Sequence, residues 1–294
     1  MRVFVTGASG HIGWAVIPEL LRAGHEVVGL ARSDASAAAV TALGAEVRRG
    51  DLGDLDGLRQ AAAAADAVIH LAFDHETMLA GDFAGAVGTD LAVVQALGGA
   101  LASTGKTFIG IGMTGTGDAE RDAAIEANPR SAVARAITEF GAQDVRTILV
   151  AIPPVVHSTR DRHGFIPMLI GIARASGVSG YAGDGANRWP AAHALDVGRL
   201  YRLALEQAPA GSQLYAAAEE GIAVREIAET IGRHLSVPAV SIPPAEAAGH
   251  FRGFPFITLD ITMSSASTRQ LLDWKPEHPG LIADLAEGHY FTTG

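Results

Sequence analysis

The chain contains no cysteine, which excludes disulfides, thiolate nucleophiles and cysteine-ligated zinc or iron–sulfur centres together. Its chemistry must rest on oxygen, nitrogen or a cofactor. Lysine is nearly as scarce: Lys106 and Lys275 are the two present, and arginine supplies the remaining positive charge. No Lys/Arg run offsets the formal net charge of -10, so a phosphate backbone is repelled and no nucleic-acid partner is expected. The histidines show no His-x-x-x-His spacing and no acidic cluster joins them, so no metal is expected. No apolar stretch of the roughly 18 residues needed to span a bilayer stands out. MRVFVTG runs directly into a strand and a glycine turn, without the apolar region of a leader. These readings predict a cytoplasmic protein with no membrane partner.

What is present is the composition of an ordinary globular enzyme, with 48% hydrophobic and 18% charged residues. The 294 residues suffice for one large α/β domain with an appended lobe. Short β-branched runs alternate with alanine-rich helical stretches through the first half, as consecutive βαβ units require. The pattern predicts strands at Arg2 to Val5, Glu26 to Leu30, Glu46 to Arg49, Ala67 to Leu71, Thr107 to Ile111 and Arg146 to Ile152. Helices are predicted near Trp14 to Ala23, Ser36 to Leu43, Leu55 to Ala64, Thr89 to Ser103 and Ser131 to Gly141. Right-handed crossovers then make a doubly wound parallel sheet of the Rossmann type. From Pro153 onward prolines and glycines cluster, in PPVVHSTRDRHGF, GDGANRWP and SIPPAEAAGHFRGFP, and predict the loops of a smaller lobe. The expected division is a dinucleotide-binding domain over residues 1–152 and a mainly substrate-binding lobe over 153–294, with segments at about 190–220 returning to the first domain.

TGASGHIG follows the first strand and opens the first helix, giving Gly7, Gly10 and Gly13 at three-residue spacing. In that order Gly7 permits a tight turn, Gly10 lets the backbone approach a pyrophosphate, and Gly13 lets the helix pack close to the sheet. The amides of Ser9, Gly10, His11, Ile12 and Gly13, with the positive end of the helix, then face the anion. At the end of the second strand GLARSD places Arg32 and Ser33 where the 2′-phosphate of NADP would lie, with Asp34 as the alternative partner of an NAD ribose. NADP(H) is therefore favoured over NAD(H). Further along the cofactor's path come Asp51 and Leu52 in GDL, then Leu71, Ala72 and Phe73 in HLAF.

The segments TGASGHIG, ARS, GDL and HLAF resemble the extended and atypical short-chain dehydrogenase/reductases, the superfamily that includes the NAD-dependent epimerase/dehydratases. PPVVH, with Pro153 and Val155, stands where that family contacts the nicotinamide. WPAAHALDVGRLYRLALE is similar to a further family segment, in which His193 and Asp196 would tie the lobe to the nucleotide domain. The resemblance implies a catalytic Ser/Thr after strand five and a Tyr-x-x-x-Lys pair on the next helix. Thr114 in IGMTGTG matches the first, while Ser131 and Arg135 stand where tyrosine and lysine are expected. None of Tyr181, Tyr201, Tyr215 and Tyr290 has lysine four residues later. A positioned proton donor is worth about 10²–10⁴-fold to carbonyl reduction, so a substitute is sought. His75, just beyond strand four, and His157, after PPVV, are the candidates. Arg135 cannot release a proton at ordinary pH but can anchor the nicotinamide ribose and stabilise negative charge.

The expected activity is NADPH-dependent reduction of a carbonyl or imine of a small, largely uncharged metabolite, with Thr114 polarising the substrate. The alternatives are an epimerase or dehydratase that uses the cofactor transiently, and a non-catalytic NADP(H)-binding sensor. A homodimer through the helices after strands four and five would be usual for relatives.

Overall fold

A computed structural model describes residues 1–114 and 119–292; the last three residues of IGMTGTG lie outside that set. Along the chain run β1 (Arg2–Thr6), α1 (His11–Arg22), β2 (Glu26–Ala31), α2 (Asp34–Ala42), β3 (Glu46–Arg49), α3 (Leu55–Ala63) and β4 (Ala67–His70). Then come α4 (His75–Leu79), α5 (Phe83–Leu101), β5 (Thr107–Ile111), α6 (Ala119–Ala127), α7 (Ser131–Glu139) and β6 (Arg146–Ala151). The second half forms β7 (Val155–His157), α8 (Phe165–Ser176), β8 (Ser179–Ala182), β9 (Arg188–His193), α9 (Ala194–Gln207) and β10 (Ser212–Tyr215). It closes with β11 (Glu219–Ala223), α10 (Val224–Leu235), β12 (Ala239–Ile242), α11 (Pro244–His250), α12 (Ala266–Leu272) and α13 (Leu281–Ala286).

The chain divides into two compact units. One comprises residues 1–151, 197–214 and 270–274, the other 152–196, 215–269 and 275–294. The first is built on a seven-stranded sheet in the order β10-β6-β5-β4-β1-β2-β3, in which β1 to β6 pair in parallel. This is the doubly wound Rossmann architecture. Its central strands are buried on both faces, which is why they read as continuous apolar runs such as VFV and AVI, without alternation. Strand order reverses between β1 and β4, so a crevice opens beyond their carboxyl ends, where ligands of such sheets bind.

α5 packs against α3, α4 and α7. Contrary to the sequence-based expectation, this 19-residue helix has the length and apolar composition to cross a bilayer, yet half of it is buried within the described protein and it carries one buried charge, Asp90. It serves as a core helix.

In the second unit β9 lies between antiparallel β11 and parallel β7, and β12 pairs with β8. Its core gathers Trp189, Phe251, Ile166, Ile227 and Leu281. The segments expected as loops after Pro153 are therefore largely ordered elements: PPVVH enters β7, RWP opens β9, and SIPPAEAAGH joins β12 to α11. Their strands are three to six residues long, too short to outweigh the turn-forming residues around them in a sequence pattern.

Candidate active site at the switch point of the sheet

β1 ends in a turn at Gly7, whose φ of 67° suits glycine. A Cβ there would stand 2.7 Å from the Ala72 amide nitrogen and 2.8 Å from the Leu71 carbonyl carbon. The exits of β1 and β4 thus touch backbone to backbone. The turn closes through the Gly10 amide, which donates to the Gly7 carbonyl at 3.0 Å. A Cβ on Gly13 would lie 2.4 Å from that same carbonyl oxygen, so only glycine lets α1 begin so near the loop. At the start of α1 the N-cap Gly10 provides no side-chain cap, and the first turn holds no acid. An uncapped helix start against a glycine turn fits a pyrophosphate, and Gly7, Ser9, Gly10, His11, Ile12 and Gly13 all belong to it.

At the end of β2, Arg32 is largely exposed, at 72%, and meets Glu76 at 3.5 Å. Ser33 is the N-cap of α2 and forms a capping box with Ser36. Asp34 pairs with Arg49. Asp51 accepts from the Gly53 and Asp54 amides at 2.8 and 3.2 Å, shaping the turn after β3, while Leu52 packs on the core.

A buried polar relay begins at the same place. The Thr6 oxygen accepts from the Leu71 and Ala72 amides at 3.2 and 3.3 Å, so its single proton goes to His70 Nδ1 at 2.6 Å. The His70 ring is thereby fixed with its hydrogen on Nε2, which donates to Asp90 Oδ1 at 2.9 Å. Asp90 Oδ2 accepts from Arg130 Nη2 at 3.3 Å. The Arg130 guanidinium lies over the Phe73 ring, 4.3 Å from its centroid. His75 sits edge-on to the same ring at 5.2 Å. Desolvation, reinforced by the nearby Arg130 charge, holds its imidazole below the ordinary value.

Several sequence expectations change here. Polarising a carbonyl needs a free O–H, but the Thr114 hydroxyl donates to Gln213 Oε1 at 2.8 Å, and the Thr114 amide donates to the same atom at 2.7 Å. Arg135 pairs with Glu126 through two exposed side chains. Ser131 is buried, its hydroxyl directed at the Glu126 carbonyl. His157, Pro153 and Val155 belong to the second unit. His157 is fully buried there, with Nδ1 on Asp284 at 2.8 Å and its ring 5.4 Å from His193, which leaves no surface for delivering a proton to substrate. His75 keeps access to solvent, and the downward shift of its imidazole favours the neutral ring over an imidazolium acid. Asp196 accepts from the Glu277 and His278 amides and from His278 Nδ1 within the second unit. Elsewhere in the second unit, and apart from those expectations, Trp189 is core, with Nε1 donating to the Phe256 carbonyl, and Arg188 forms a two-pronged pair with Asp260.

Sequence reasoning missed Thr6, His70, Asp90 and Arg130. A signal existed for three of them. Thr6 and His70 are polar ends of apolar strands, and Asp90 is the single charge of FAGAVGTDLAVVQALGGAL, a residue type rarely buried without a partner.

Strand order, glycine turn and uncapped helix start define a dinucleotide-binding protein of the Rossmann class. A family profile described as NAD(P)H-binding matches residues 7–146. The chain is 42% identical over 300 residues to an uncharacterized protein of Schizosaccharomyces pombe, covering 99% of this chain and 100% of that one. It is 39% identical over 298 residues to an uncharacterized protein of Saccharomyces cerevisiae, covering 97% and 98%. Among solved structures it resembles a dTDP-glucose 4,6-dehydratase of Streptomyces venezuelae with NAD bound, at a TM-score of 0.75 and 18% identity, covering 98% of this chain and 96% of that one. The chain belongs to the same family as these two uncharacterized proteins, its residues 7–146 match an NAD(P)H-binding domain, and its fold is that of the dehydratase structure.

Proposed function

We propose that this protein is a cytoplasmic NADPH-dependent oxidoreductase that reduces a carbonyl or imine of a small organic metabolite. The observation that carries the reading is the uncapped start of α1 behind the Gly7 turn, at the point where strand order reverses. Gly7 to Gly13 would hold the pyrophosphate, Asp51 and Leu52 the adenine end, and Leu71 to Phe73 the path toward the nicotinamide. The bound dinucleotide supplies hydride. Arg32 supports NADP over NAD: its pairing with Glu76 is long and joins two highly exposed side chains, an interaction worth little in water, so the guanidinium is free to turn to a 2′-phosphate. His75, neutral at pH 7, offers an N–H near Phe73.

Fluorescence titration with NADPH and NADH tests the cofactor, followed by turnover on a panel of ketones and imines. Tighter binding of NADPH, reversed in Arg32→Glu, is expected; equal affinities for the two, unchanged in that variant, would remove the assignment. The structural likeness to a dehydratase favours one second reading, an epimerase or dehydratase that keeps its cofactor. Retention of the dinucleotide through purification with no net NADPH consumption would mark it.

A further inference from the structure

We propose that Arg130 is the oxyanion-binding residue of this site, receiving the negative charge that develops on the substrate oxygen. The proposal rests on the reductase reading above and gives the site an electrophile. Arg130 is the N-cap residue of α7, and its guanidinium lies on Phe73, which leaves β4 beside the switch point. Arg130 thus lies on the residue that follows β4, at the end of the sheet where doubly wound folds place their ligands.

Its anchoring points the same way. Asp90, 2% exposed, divides its two oxygens between His70 and Arg130, and the Thr6 hydroxyl sets the His70 ring. Nothing in packing calls for this arrangement, since an apolar residue at position 90 would fill α5 without desolvating a carboxylate. What the relay does is hold a guanidinium that is still 32% exposed. Of its five N–H groups, only one has a partner among the described residues, the contact to Asp90.

When hydride reaches a carbonyl carbon, a C–H bond forms and the C=O π pair moves onto oxygen. The carbonyl is reduced as the nicotinamide dinucleotide is oxidised, and the oxygen then takes a proton from water. A guanidinium cannot supply that proton, but it donates fixed hydrogen bonds to the oxygen as charge develops.

Benzoate is the probe, because it joins a stable oxyanion to a ring able to lie beside Phe73. Calorimetric titration of benzoate into the NADP-saturated protein is compared in wild type, Arg130→Lys and Arg130→Met. Wild type should saturate, Arg130→Met should bind at least about tenfold more weakly, and Arg130→Lys should fall between them, with NADP affinity unchanged; Arg130→Met, which leaves a buried Asp90 oxygen without its partner, should be folded at a lower Tm. With a carbonyl substrate, kcat of Arg130→Met should drop about 10²-fold at unaltered KM for NADPH. Absence of saturable benzoate binding in wild type, or equal binding by folded Arg130→Met, overturns the proposal. If benzoate binding depends on Arg130 while no carbonyl is reduced, the anion site stands and the reductase reading fails.

Discussion

Replacing Gly13 by alanine tests the glycine loop directly. Gly13 has an ordinary helical backbone, so the substitution introduces no left-handed strain and improves helix propensity. The obstacle is steric. The new Cβ would stand 2.4 Å from the Gly7 carbonyl oxygen, 2.6 Å from the Ala8 carbonyl oxygen and 2.8 Å from the Ala8 carbonyl carbon. All three are backbone atoms of a turn closed by its own hydrogen bond, and none can rotate away. The start of α1 must retreat by roughly half an ångström or more, at the cost of about 1–3 kcal/mol typical of overpacking. The same retreat draws the first-turn amides away from a pyrophosphate, and a loss of about 1.4 kcal/mol there is a tenfold rise in Kd. Urea unfolding and NADPH fluorescence titration measure the two effects. Gly99→Ala is the control: Gly99 is exposed on α5 with no atom within 4 Å of its added Cβ, and the change should stabilise by about 0.4–1 kcal/mol and leave Kd alone. A Gly13→Ala protein with wild-type stability and NADPH affinity within twofold would refute the reasoning.

Asp90→Ala should destabilise by about 1–3 kcal/mol, because it leaves the buried His70 Nε2–H without an acceptor; Asp90→Asn, which keeps an acceptor, should lose less in the same unfolding experiment. The second unit should weaken in acid. Burial, with the nearby His157 and His278 rings, pushes His193 down to about 4 from 6.5, so the unfolded chain binds this proton first. Its contribution, about 3 kcal/mol at most, is present above pH 6.5 and is lost as pH falls toward 4, and Asp284, held low by His157 and His289 against the opposing effect of burial, adds a further loss below that. Chemical denaturation monitored by tryptophan emission at pH 7.5 and 5.0 checks this, and a His193→Phe variant should flatten the dependence. Trp189→Ala removes a fully buried ring packed on Phe165 and Phe254 and should cost about 3–5 kcal/mol, read from the urea midpoint.

The parallel sheet of the first unit was legible in sequence because its information is local. Most strands are short runs rich in β-branched residues and most crossovers runs of helix formers, so Thr107–Ile111 falls where the pattern places it, and Glu46–Arg49 follows from the alternation of the units around it. The glycine loop was legible for the same reason: Gly7, Gly10 and Gly13 follow one another on a single turn and helix start. The five-residue α4 and the three-residue β7 were not, since elements this short are stabilised by distant partners and carry no periodicity of their own. Arg130 is the clearest case. In sequence it is one surface-type arginine beside Pro129, while Arg135 has the more suggestive spacing. Its role comes from Thr6 meeting His70 across 64 positions, His70 meeting Asp90 across 20, and Asp90 meeting Arg130 across 40. Local sequence determined the sheet and the glycine turn, because backbone geometry is set by neighbours along the chain. Tertiary structure alone decided which polar side chains converge beside that turn, because hydrogen-bond partners are chosen by proximity in space.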